Sequence, residues 1–205
     1  MESKITLVKS DGTGMEEALR QTELVAESYG LAHKDALHLR LLAEEMTGML
    51  RAMTGEREAN YWIDEKDGVF HLHLKTDTQM RYEKKEQLLS VASSGKNAAA
   101  RGVMGKLRDI FETATMPGDD IAAANELVSY GLLAAGSPGS YWLGASLTSW
   151  SLNAYKENVE EHRADDADVQ EAWDELEKSI VVKLADEVQV AIVGNSVEMV
   201  IFKKI

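Results

Sequence analysis

The 205-residue sequence has no cysteine, two prolines and few aromatic side chains, 6% of the total. Without cysteine there is no disulfide framework and no thiol chemistry, so stability has to come from a buried core, which a chain of this length can build. A basic surplus is missing too. Lys and Arg number 22 against 35 Asp and Glu, for a formal net charge of -13. Such a chain has little with which to displace the counterions of DNA or RNA, so nucleic acid is not the expected partner, and basic or neutral proteins fit better. The start, MESKITLV, lacks an apolar block after its charges, which sets the expectation of a cytoplasmic protein.

Charge is also absent from one long stretch, Leu127 to Tyr155, LVSYGLLAAGSPGSYWLGASLTSWSLNAY. GSPGS breaks it into two pieces, each too short for a bilayer, and the second is rich in Ser, Thr and Asn. Buried or partner-facing structure is expected there rather than a membrane span.

What is present reads as alternating helical and strand-like segments. ITLV precedes the turn-like DGTG, and MEEALRQTELVAESYG reads as a helix stopped by Gly30. A second helix runs from about Lys34 to Met53, with an apolar stripe of Leu39, Leu42, Met46, Met49 and Met53 at spacings of 3, 4, 3 and 4. ANYWIDEKDGVFHLHLKTD places two β-rich runs on either side of Asp67-Gly68, a strong hairpin signal. KKEQLLSVASS and ARGVMGKLRDIFETA read as helices. Pro117-Gly118 then opens a segment of different composition that ends in the acidic ENVEEHRADDAD. Val169, Trp173, Leu176, Ile180 and Leu184 mark a further amphipathic helix, and EVQVAIVGNSVEMVIFKKI reads as two strands about a Gly194-Asn195 turn. The layout is α+β: one domain, 1–205, with a mostly antiparallel sheet carrying helices on one face and an inserted, mainly helical segment at about 117–168.

The second helix carries two adjacent acids and a central glycine in LRLLAEEMTGML. At 100° per residue Glu44 lies nearly opposite the apolar stripe, with Gly48 and Arg51 on the same outer face, while Glu45 falls at the edge of the core side. The plain reading is a solvated Glu44 and a glycine that permits close backbone approach, at a cost of about 1 kcal/mol against alanine.

The element order, the phrase LRLLAEEMTGML and the ending ADEVQVAIVGNSVEMVIFKK resemble the histidine-kinase-like (GHKL) ATPases, nearest the bacterial anti-sigma-factor serine kinases. The resemblance covers residues 1 to 112 and 169 to 205 and leaves the insertion unmatched. It implies a two-layer α/β sandwich with a mixed, mostly antiparallel sheet, and ATP with magnesium as cofactors. Glu44 stands where the family has its general base. Gly48 stands where the family has the asparagine that holds magnesium. Asp77 takes the place of the aspartate that reads adenine, but Thr78, Gln79 and Met80 follow it where glycines belong. The phosphate-wrapping glycine box is represented by Gly102, Gly105 and Lys106 in RGVMGKL.

Magnesium wants near-octahedral oxygen ligation, and glycine has no side-chain oxygen to give. Phosphoryl transfer is mostly positioning and charge neutralisation, so loss of the metal's anchor should cripple it even with Glu44 in place. The expected function is a regulator that keeps the kinase fold and acts by binding proteins, with weak or no ATP turnover. The alternative is an active protein serine kinase. The family suggests a sigma-like or anti-anti-sigma-like partner, or a second copy of the chain.

Three other features carry chemistry. SSGKN, Ser93 to Asn97, with Lys96, Arg101, Lys106 and Arg108 nearby, could contact an anion, or it is a cap and break between helices. It lacks the serine or threonine and one glycine of a phosphate loop. His71 and His73 share a strand face with Lys75 and Asp77; two histidines and an aspartate could start a zinc site, the alternative being a solvated strand face. Tyr130, Tyr141, Trp142, Trp150 and Tyr155 in the uncharged run could cover the nucleotide cleft, dock a partner with Trp142 and Trp150 as anchors, or form a small core of their own.

Overall fold

In the computed structural model the described residues are 2–52, 57–77, 104–105, 107–108, 148–162, 173–174, 176–193 and 196–205. In chain order they form β1 (Thr6–Lys9), α1 (Met15–Ser28), α2 (His33–Arg51), β2 (Glu58–Lys66), β3 (Val69–Asp77), β4 (Thr148–Ser151), α3 (Leu152–His162), α4 (Ile180–Leu184), β5 (Glu187–Val193) and β6 (Ser196–Lys204). The strands make one six-stranded sheet in the order β1-β2-β3-β6-β5-β4, and every described pairing is antiparallel. The molecule is thus α+β.

Local chemistry accounts for the boundaries. Helix α1 ends in a Schellman arrangement: Gly30, at φ 63°, donates to the Glu27 carbonyl, and Leu31 donates to that of Ala26. Asp67 and Gly68 both have positive φ, 55° and 79°, the two left-handed residues that a type I′ hairpin turn requires. That turn fixes the β2–β3 register, Lys66 opposite Val69 and Asn60 opposite Lys75.

Alternation along the strands then sorts side chains between two faces. One row of cross-strand neighbours, Thr6, Tyr61, Leu74, Met199, Val190 and Trp150, spans all six strands on the core face. Ala18, Val25 and Ala26 of α1 and Leu39, Leu42, Met46, Met49 and Leu50 of α2 complete that core. The stripe predicted for the second helix is buried from Leu39 through Met49. Leu152 and Val159 of α3 join the same core.

Among the described residues the core contains one buried hydroxyl pair. Thr22 Oγ1 donates to the Ala18 carbonyl at 2.9 Å, which uses its only proton, so the Tyr61 hydroxyl, 2.6 Å away, donates to Thr22. Thr22→Val should cost about 1–3 kcal/mol in urea unfolding, because it leaves the phenol buried without its acceptor, whereas Tyr61→Phe should cost nearer 1 kcal/mol. Burial pushes the Tyr61 phenol above its ordinary value of 10.0. The unfolded phenol ionises there and the folded one resists, so stability should fall as pH rises beyond 10.0.

Two elements in the C-terminal half depart from the sequence reading. The helix expected to carry Trp173 through Leu184 on one stripe is interrupted at Ser179, which is extended (φ -69°, ψ 129°) and caps α4 by accepting from the Val182 amide. The break shifts the phase: Val181 is fully buried and Ile180 is 43% exposed. The described part of the 117–168 segment is likewise not all helical. It supplies edge strand β4, paired with β5 through Trp150 opposite Val190, before helix α3 begins.

Candidate functional site

Among the described residues two places gather chemistry-bearing side chains, one on helix α2 and one on the sheet face turned away from it.

On α2, Glu44 is exposed and Glu45 half-buried, as the helical wheel predicts. Partial burial, with the adjacent Glu44 carboxylate second, raises the Glu45 carboxyl above its usual range. Gly48 stands one turn beyond Glu44, and a Cβ built on it meets nothing within 4 Å among the described residues. The glycine is therefore not required there by close packing. It also supplies no side-chain oxygen.

Asp77 closes β3, opposite Ser196 of β6. Gly105 lies half-buried in a short helical stretch with Met104, Leu107 and Arg108, and Arg108 Nη1 donates to the Ala52 carbonyl at the end of α2 at 3.4 Å. That bond ties Arg108, the residue after Leu107, to the C-terminal end of α2. Gly102, Lys106 and Trp142 lie outside the described residues, as do Ser93–Asn97, Tyr130 and Tyr141. Trp150 is 3% exposed within the helix-side core, its ring centroid 5.8 Å from that of Tyr155.

The second place is built by hairpin geometry. The Asp67-Gly68 turn sets Asp64 directly opposite His71 and Trp62 opposite His73, all on the outer face. Strand β6 adds Phe202 opposite His71 and Val200 opposite His73, with Glu198 two residues before Val200 on the same face. Diagonal neighbours on a sheet are within reach of long side chains, and both diagonals are used here. Asp64 Oδ1 is 2.7 Å from His71 Nδ1, Asp64 Oδ2 is 3.0 Å from His73 Nε2, and Glu198 Oε1 is 2.9 Å from His73 Nδ1. The Trp62 ring stacks on His73 at a centroid distance of 4.5 Å and an interplanar angle of 6°. Phe202 meets His71 edge-on at 5.1 Å.

This face is not the solvated strand surface that alternation allows. His73 is 1% exposed and His71 8%. Buried polar groups need partners, and here the partners are carboxylates that can only accept. Each ring nitrogen facing one must present a proton or share a cation with it. For His73 that condition holds at both nitrogens at once. The aspartate of the cluster is Asp64 rather than Asp77, and neither Asp64 nor Glu198 was singled out from the sequence.

Among the described residues no helix is long and apolar enough to cross a membrane. Comparison with protein-family models, with curated proteins and with solved structures finds no match to this chain.

Proposed function

We propose that this chain is a regulatory protein built on an anti-sigma-factor-kinase-like ATPase scaffold, acting by protein binding with weak or no ATP turnover. The observation that carries the reading is on α2: an exposed Glu44 in the place of the family's general base, with Gly48 one turn on, where the magnesium-holding asparagine would stand, and no described residue within 4 Å of a Cβ there. The architecture is compatible, with two N-terminal helices on one face of an antiparallel sheet whose β2–β3 hairpin pairs with the C-terminal β5–β6 hairpin. Exposed apolar side chains offer contact surface for a sigma-like or anti-anti-sigma-like regulator or for a second copy: Ile5 and Leu7 beside and on edge strand β1, Leu24 on α1 and Leu37 on α2.

Because nothing among the described residues lies within 4 Å of a Cβ at position 48, the missing ligand can be put back by substitution. The wild-type chain should show no magnesium-dependent rise in melting temperature at millimolar ATP. Gly48→Asn should gain one, since ligand at 100 times its dissociation constant adds about 2.7 kcal/mol to stability. A clear magnesium-dependent shift in the wild type, with phosphate transferred to a co-purified protein, would replace the regulator by an active serine kinase. If neither chain responds to ATP, the ATPase-scaffold reading fails.

A further inference from the structure

We propose that Asp64, His71 and His73 bind one divalent first-row transition-metal ion, zinc first among them, on the sheet face opposite helices α1 and α2. Each residue offers one ligand atom, and these atoms all lie within 4.8 Å of one another. Bond lengths of about 2.0–2.2 Å put the ligand atoms of a tetrahedral zinc site about 3.4 Å apart. The observed 2.7 Å from Asp64 Oδ1 to His71 Nδ1 and 3.0 Å from Asp64 Oδ2 to His73 Nε2 are shorter than that, by about 0.7 Å and 0.4 Å. A small rotation of the Asp64 side chain, 26% exposed and so the least confined of the three, opens the space an ion needs.

The surroundings match what a metal-binding histidine requires. A ligating imidazole ordinarily donates its far N–H to a carboxylate, which fixes the tautomer and the ring orientation. Glu198, its side chain 13% exposed, stands in that position at Nδ1 of His73 while Nε2 faces the Asp64 side. Trp62 on the face of one ring and Phe202 against the edge of the other hold both imidazoles at fixed angles.

Charge points the same way. Asp64 and Glu198 bring two carboxylates to a largely buried patch in which Lys75, opposite Glu198, is one cation on the same face, and a divalent ion between Asp64 and the imidazoles adds compensating positive charge. Two imidazoles with a carboxylate suit zinc and its first-row neighbours and fall short of the oxygen-rich shell that magnesium or calcium demands. Three protein ligands leave a fourth position for water or an incoming group. The site shares no residue with the α2 face, so it stands or falls independently of the ATPase-like reading.

The test uses the full chain, stripped with a chelator and titrated with zinc alone by calorimetry, with bound metal counted by elemental emission. The expected result is one zinc per chain, with binding weakened at least about 100-fold in His71→Ala and in Asp64→Asn. Glu198→Gln keeps every ligand and should weaken binding by about 10–100-fold as a positioning residue. Cobalt in place of zinc should give the visible absorption of a four-coordinate site, a signature that a purely structural role would not produce. Circular dichroism of the metal-free variants separates lost binding from lost folding. Two results would overturn the proposal. One is no stoichiometric uptake by the wild type. The other is equal affinity in a folded His71→Ala/His73→Ala double variant, which would leave a metal-free network of charged hydrogen bonds.

Discussion

Trp150→Ala is expected to lower the stability of the folded chain by about 4 kcal/mol, the usual result of deleting a large buried aromatic ring. The ring is 3% exposed, faces the helix-side core opposite Val190, and lies against Tyr155. Strand β4 is four residues long and pairs only with β5 among the described residues, and the indole is a buried side chain that it sends into the core. For a chain of this size each kcal/mol moves the melting temperature by about 2–4 °C, so the shift should be unmistakable in a thermal scan. Trp150→Phe retains an aromatic ring and should lose appreciably less. The same substitution bears on partner docking, because Trp150 sits in the uncharged run that suggests an interaction surface. A variant that melts normally yet binds a partner more weakly would make the ring a contact and contradict its burial.

What could be read from the sequence follows the range of the interactions involved. Helix α2 was legible because five apolar residues at helical spacing encode a face without reference to anything distant, and Leu39, Leu42, Met46 and Met49 are buried where that spacing puts them. The β2–β3 hairpin was legible because Asp67-Gly68 encodes its own turn. Strand β4 was not, since a tryptophan between two serines in a glycine- and serine-rich run becomes a strand only by pairing with β5, about forty residues on. The break at Ser179 was hidden for a related reason. A serine is tolerated inside a helix, and only its cap bond to Val182 reveals that it starts a new one.

The outer-face cluster divides along the same line. Counting back from the Asp67-Gly68 turn pairs Asp64 with His71, so the aspartate could have been found from the hairpin register alone. The alternation that placed the histidines on one face instead drew attention to Asp77, farther along the same strand. Glu198 could not have been found that way. It reaches His73 because β6 lies beside β3, a pairing across 125 residues that no local pattern encodes. Nor does alternation say that the outer face of a sheet is buried, yet Val200 and Ala191 there are 3% and 2% exposed. On α2 the sequence identified Glu44 and Gly48 as neighbours on one face, but only the structure shows that no described residue packs against the glycine.

The second large effect is expected at Gly14, where Gly14→Ala should cost about 3 kcal/mol. Two separate penalties combine there. The residue sits at φ 79° as the N-cap of α1, and a left-handed backbone costs an L-residue about 1–2 kcal/mol. A Cβ at that position would also lie 1.9 Å from the Leu7 carbonyl oxygen and 3.0 Å from its carbon. Both atoms are backbone, so no side chain can swing aside and β1 or the start of α1 must move. That region has little slack. The Lys9 amide donates to the Thr13 carbonyl at 2.9 Å, and Asp11 Oδ1 accepts from the Thr13 amide at 2.8 Å, which closes the DGTG loop. Moving α1 would also disturb the Thr22–Tyr61 hydroxyl pair and the Arg40–Glu23 ion pair that ties α1 to α2. Gly48→Ala makes the comparison, because that glycine is helical and no described residue lies within 4 Å of an added Cβ, so the change should stabilise by about 1 kcal/mol. Urea unfolding of both variants therefore separates close approach from propensity. A loss at position 14 no greater than the left-handed backbone penalty alone would mean that β1 yields to the added methyl group.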